Sequence, residues 1–168
     1  MSFLHPRFSL NCLRALGALA LMIALAACSR SNESRPTGSA HGHEHKAPHG
    51  GTAVVLGNEA YHLEFVSNPA GGTLTAYVLD GHMENFIRTN VESFEVRAKL
   101  GDEIRPLIFR AVANTATGET VGDTSQFEAP AEWLRTETSF TATLKHITIR
   151  GTTFQDVEFS FPVDHEQH

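Results

Sequence analysis

From Gly50 onward, apolar residues recur at every second position and not every 3.6, which commits this part of the chain to strands. Thr52 to Leu56 reads as a first short strand. Gly57-Asn58 is a two-residue hairpin signal. Ala60 to Val66 then puts Tyr61, Leu63 and Phe65 on one face and His62, Glu64 and Val66 on the other. Asn68 to Gly72 is a second turn cluster. Thr73 to Leu79 follows, with Leu74, Ala76 and Val78 inward. Glu92 to Leu100 carries Phe94, Val96 and Ala98 on one face, and Arg105 to Ala113 groups Leu107, Phe109 and Ala111. Ser125 to Glu128 reads as a short edge strand, and Ala129 to Arg135 as one helical turn anchored by Trp133. Thr138 to Ile149 alternates as Phe140, Ala142 and Leu144. Its phase slips near Lys145-His146, the mark of a bulge. Thr153 to Phe161 closes the domain with Val157, Phe159 and Phe161 inward.

Seven to eight short strands separated by turn clusters predict an all-β fold, an antiparallel β-sandwich of Ig-like architecture, with a small barrel as the rival. The Cys and Trp hallmarks of antibody domains are missing, and no internal repeat is present.

The N-terminus is built differently. Arg7 and Arg14 precede an apolar run from Ala15 to Ala27, too short for a comfortable transmembrane helix. The run closes on Leu25-Ala26-Ala27-Cys28, which resembles the lipobox of bacterial lipoproteins. That resemblance implies a signal peptide over 1–27, cleavage before Cys28, and lipid on its thiol and new amino group. More than one acyl chain gives a stable membrane anchor. Ser29, where an acidic residue would signal inner-membrane retention, implies the outer membrane, facing the periplasm. Removal of 1–27 leaves about 140 of the 168 residues, enough for one domain. Cys12 leaves with the signal and Cys28 carries lipid, so the mature core has no disulfide and any metal site lacks thiolate. The net charge of -6 becomes more negative once the two signal arginines are lost, which argues against nucleic acid as a partner.

Residues 28–49 form a tether, Ser-, Asn-, Pro- and Gly-rich to Ala40 and His-rich beyond. The domain spans 50–163, and 164–168 is a tail with His165 and His168 as weak further ligands. The run His41-Gly-His43-Glu-His45-Lys-Ala-Pro-His49-Gly-Gly is the chemical centre. Imidazole is the commonest metal-ligating side chain, and a His-rich tract reads as metal binding on composition. A solvated polar tail is the plainer reading. With Gly57-Asn58 as a two-residue loop, Ala53 faces His62, Gly51 faces Glu64 and His49 faces Val66. His49, His62 and Glu64 then share a polar face, expected to be solvent-facing, where His43 or His45 completes a shell. His82-Met83, after the turn Asp80-Gly81, offers imidazole beside thioether, a pairing suited to copper. His146, at the strand irregularity, reads as structural.

Pro48-His49-Gly50-Gly51, followed by Val54-Val55-Leu56-Gly57 and Tyr61-His62-Leu63-Glu64-Phe65, resembles a segment of the periplasmic adaptors of resistance-nodulation-division heavy-metal exporters. It is also similar to small stand-alone periplasmic lipoproteins with the same His-Gly-Gly opening. The likeness covers roughly residues 48 to 80. The coiled-coil part of an adaptor is absent, so the resemblance implies metal handling and not transport. It carries over to His49 and, less directly, to His62. Histidine with carboxylate suits Zn(II), Cu(II), Ni(II) or Co(II), zinc or copper foremost.

Three function classes remain at this level. The first is a non-catalytic lipoprotein that binds divalent ions and buffers or delivers them to a metal efflux complex. The second is an Ig-like interaction module of an envelope assembly, with an incidental His tail. The third is an enzyme. Copper-zinc superoxide dismutase is a sandwich with His-x-His ligands, but here that run lies in a Gly-rich tail. No nucleophile elbow, phosphate loop or zincin helix is present, so no catalytic residue is assigned.

Overall fold

A computed structural model describes residues 46–162. The expected signal, Cys28, His41, His43, His45, His165 and His168 lie outside the described residues.

Eight antiparallel strands make up the fold: β1 (Thr52–Leu56), β2 (Tyr61–Asn68), β3 (Thr73–Asp80), β4 (Ser93–Leu100), β5 (Glu103–Ala111), β6 (Gln126–Pro130), β7 (Phe140–Ile149) and β8 (Thr152–Phe161). A 3₁₀ turn at Glu132–Arg135 buries Leu134, while Trp133 lies edge-on to Phe140. The strands join into one hydrogen-bonded sheet of order β1-β2-β3-β6-β5-β4-β7-β8. Its two four-stranded halves face each other and are linked at a corner through Arg110↔Glu128 and Ala111↔Phe127. At the opposite side β1 lies against β8, so the sheet nearly closes. The all-β antiparallel architecture is as the alternation predicts. β6 differs from expectation, because it sits between β3 and β5 at the corner and not at an edge.

The inward positions of both halves form one core. Phe65 on β2 stacks on Phe159 of β8 at 4.9 Å and meets Phe109 of β5 edge-on at 5.4 Å. Phe94 of β4 stacks on Phe109 at 4.9 Å and meets Phe127 of β6 at 5.1 Å. These rings bridge the halves, and burying large aromatics is where such a core gains most of its stability.

Two local expectations are corrected. The β1–β2 loop is Gly57 to Ala60, four residues, closed by Ala60 N–H on Leu56 O at 3.1 Å, with Gly57 and Glu59 at positive φ. The β7–β8 register runs from Phe140↔Phe161 to Ile149↔Thr152 without an inserted residue. The burial phase instead shifts on both strands together, beside Asp156 at positive φ, so the irregularity is a shared kink and not a one-sided bulge. His146 there is exposed. Beyond the kink, Phe154 reaches Tyr61 at 6.0 Å and covers the end of the first hairpin.

Where β6 ends, residues 85–89 take its place beside β3. Ile87 N–H donates to Val78 O at 2.8 Å, and Thr89 bridges Thr124. Asp80 starts this loop. Its carboxylate accepts Glu84 N–H at 2.9 Å and the Asn85 amide at 2.6 Å. Desolvation pushes its carboxyl up, but the hydrogen bonds from the Asn85 side chain and from the N–H groups of Glu84, Asn85 and His82 together outweigh it and hold the group below the ordinary value.

Candidate functional site

The longer β1–β2 loop sets the observed register: Ala53 faces Glu64 and Val55 faces His62. This is a shift of two residues from the expected pairing. An even shift preserves the side-chain faces, so His49, His62 and Glu64 still belong to one side of the sheet. That side is not open to solvent. Glu64 is 0 % and His62 3 % exposed. β2 lies between β1 and β3, and its outer face is covered by the segment before β1 and by the loop after β3. Polar residues alternating with apolar ones here mark two buried faces, not one wet face.

Glu64 is held by the His-Gly-Gly motif. Its Oε1 accepts the N–H of His49 at 2.7 Å and that of Gly51 at 3.0 Å. Its Oε2 lies 2.9 Å from His49 Nδ1. Three donors thus meet one buried carboxylate, which satisfies it as burial demands. The motif's composition follows from this geometry. Gly50 N–H closes a turn on Ala47 O at 3.0 Å, and Gly50 sits at φ +68°. A Cβ on Gly51 would stand 2.5 Å from Phe65 O, so only glycine lets the chain lie this close to β2. His49, assigned by the sequence to the tether, is thus bonded directly to β2.

In a neutral imidazole, a carboxylate at Nδ1 favours the proton on Nδ1 and leaves the lone pair on Nε2. The His49 ring is 37 % exposed, stacks on Tyr77 at 4.0 Å and meets Phe86 at 5.6 Å. Tyr77 on β3 faces Glu64. Burial, then the charges of Glu128 and Glu64, push its phenol above the ordinary value.

These rings form one wall of a cavity of about 350 Å³. The rest of its lining is Arg88, Asn114, Thr117, Glu119, Ser125 and Gln126, the last paired directly with Tyr77 across β3 and β6. Glu119 is nearly buried. Its Oε1 accepts the Ser125 hydroxyl at 2.7 Å and the Ser125 N–H at 3.0 Å, and Thr117 donates to its Oε2 at 3.0 Å. Desolvation opposes ionisation of Glu119. The Ser125 and Thr117 hydrogen bonds with the Arg88 charge outweigh it and hold the carboxyl below its ordinary value. Arg88 also donates to Asp123 Oδ2 at 3.1 Å and to Thr117 O at 2.6 Å. Sequence reasoning misses these residues, because they come from two loops and the start of β6, whose meeting no local pattern encodes.

The other expected ligands fall elsewhere. His62 Nδ1 lies 3.2 Å from the carbonyl of Asp80, and the ring packs opposite Leu79 inside the protein. His82 is exposed, but Met83 beside it is buried, so imidazole and thioether do not present one surface site. Among the described residues no three His, Cys, Asp or Glu side chains group so as to hold a metal ion, and no helix is long and apolar enough to cross a membrane. Comparison with protein-family models, curated proteins and solved structures finds no match.

Proposed function

We propose that this chain is a non-catalytic envelope lipoprotein, anchored through Cys28 in the outer membrane, that binds a divalent transition-metal ion and buffers or delivers it to a metal efflux complex. Zinc or copper is the ion this ligand set favours. The observation that carries the reading is the His49–Glu64 pair. A ligating histidine characteristically gives its second ring nitrogen to a carboxylate, which fixes the tautomer and raises the basicity of the other nitrogen. His49 has this arrangement on a partly exposed ring, with the His41, His43 and His45 tract immediately upstream in sequence. Glu64 is then an outer partner and not a ligand, since both of its oxygens are taken. His62 and His82 drop from the ligand set.

The test is calorimetric titration of the full chain, kept in solution by Cys28→Ser, with Zn(II) and Cu(II) at about pH 7.5 and about pH 5. Binding weakens at the lower pH, because protons compete for imidazole nitrogen. His49→Ala lowers affinity, and replacing His41, His43 and His45 by alanine lowers it further. No binding at millimolar ion overturns the reading. Mass spectrometry of the chain from cells checks the anchor, and a mature form without acyl mass rejects that part.

A further inference from the structure

The cavity beside His49 has a chemistry of its own. Phe86 lines it and is 46 % exposed, so its ring is accessible to a ligand. Its ring stands 6.0 Å from Tyr77 at 67°, so the two make an aromatic corner. His49 covers one face of Tyr77. The cavity volume, about 350 Å³, lies within the range of small-molecule sites, roughly 300–1,000 Å³.

Charge decides which ligand fits. Arg88 is the cation of the lining, and it is spent on Asp123, the Thr117 carbonyl and Glu119. An incoming anion finds no cation without breaking these contacts. One carboxylate, Glu119, lines the space, while Glu64 lies behind His49 and Glu128 beside Gln126, both close enough to act on Tyr77. Gln126 donates one amide hydrogen to Glu128 at 3.3 Å, and its carbonyl oxygen can accept. Aromatic rings with excess negative charge and an amide oxygen are the complement of a positively charged head group.

We propose that this cavity binds an organic cation with an ammonium head, seated against Phe86 and Tyr77 within the field of Glu64, Glu119 and Glu128. The head group belongs either to a free quaternary ammonium solute or to a lysyl side chain. The site does not depend on the metal reading, and titration in the presence of a chelator keeps the two apart.

The experiment is an NMR titration of the full chain carrying Cys28→Ser, with tetramethylammonium, N-acetyl-lysine amide and benzoate as separate probes. At least one cation shifts the side-chain amides of Gln126 and Asn114 and the ring of Phe86 saturably, while benzoate does not. Saturation by tetramethylammonium alone identifies the free solute, and saturation by the lysine amide alone identifies the side chain. Phe86→Leu weakens binding about fivefold, the order expected for losing one exposed cation–aromatic contact. Glu128→Gln, which leaves the aromatic corner intact, weakens it about threefold through charge alone. No saturable response to either cation overturns the proposal, as does saturation by benzoate or unchanged affinity in both variants.

Discussion

Replacing Glu64 separates the two tasks that its carboxylate performs. Glu64→Ala removes the acceptor of three hydrogen bonds, two from backbone N–H groups and one from the His49 ring. Hydrogen bonds to a charged group contribute about 1.5–3 kcal/mol each, and orphaned buried donors cost about 1–3 kcal/mol. The His49 ring is partly exposed and recovers water when released, so the three losses do not sum in full. A net cost of about 3–5 kcal/mol follows, which for a domain of this size lowers the melting temperature by about 12–20 °C.

Glu64→Gln is the more informative change. Its amide oxygen can still accept from His49 N–H and Gly51 N–H, so the segment before β1 stays in place. Its NH₂ group then faces His49 Nδ1 and must donate to it. The imidazole proton moves to Nε2, and the lone pair needed for a metal is lost from the exposed side of the ring. The expected loss of stability is about 1–2 kcal/mol, while metal affinity falls about 10- to 100-fold. Thermal melts with chelator give the first quantity, calorimetry the second, and ring nitrogen shifts report the tautomer directly. A Glu64→Ala melt within about 2 °C of the parent would refute the account of Glu64 as the anchor of the motif. A proton still on Nδ1 in Glu64→Gln would refute the tautomer argument.

The remaining expectations test other parts of the structure. Gly51→Ala drives a Cβ into Phe65 O at 2.5 Å and should cost about 2–3 kcal/mol in urea denaturation; Gly50→Ala meets nothing within 4 Å and should cost about 1 kcal/mol, from its positive φ alone, so equal costs would count against the close approach. His62→Ala opens a hole in a nearly buried position and should cost about 2–4 kcal/mol, whereas a change below about 0.5 kcal/mol would return His62 to the surface. The Glu119 carboxyl sits below its ordinary value when folded, so its stabilising contribution is complete above the ordinary value and disappears as pH falls through the depressed one. Glu119→Gln should therefore be less stable than the parent at neutral pH by about 1–2 kcal/mol, and the two urea midpoints should converge on acidification; parallel pH profiles would reject the linkage.

The strands were legible because one face of each is apolar and the period is two. Leu63, Phe65, Leu74, Ala76, Val96, Phe109 and Leu144 all reach the core that their alternation predicts. Loop length was less legible. Gly57-Asn58 carries the signature of a two-residue turn, but Glu59 accepts a left-handed conformation and lengthens the loop to four residues. The site faced a different obstacle. His62 and Glu64 look solvent-facing because alternation reports only that two faces differ. It does not report what lies on the second face, which here is covered by residues from before β1 and from the loop after β3. The meeting of Arg88 with Glu119 and Ser125 depends on the β3–β4 and β5–β6 loops coming together in space, and nothing local in the chain announces that.

The His-Gly-Gly motif joins fold and chemistry in one device. A buried carboxylate in the middle of a sheet is costly unless its oxygens are filled with donors, and β2 places Glu64 where neighbouring strands have none to spare. The segment before β1 supplies them. Gly51 brings the backbone close enough, Gly50 turns it, and two N–H groups share one oxygen. The third donor is then the side chain of His49, and this contact alone is not needed to bring the segment back onto the sheet. What it adds is orientation: the ring is pressed on Tyr77 with one nitrogen committed to Glu64, and under the proposed function the other is the ligand. A purely structural cap would work as well with Asn or Ser at position 49, each able to donate to a carboxylate. His49→Asn should therefore keep most of the stability and lose metal affinity. Such a variant that melts as low as Glu64→Ala would show that the imidazole serves the fold before it serves a ligand.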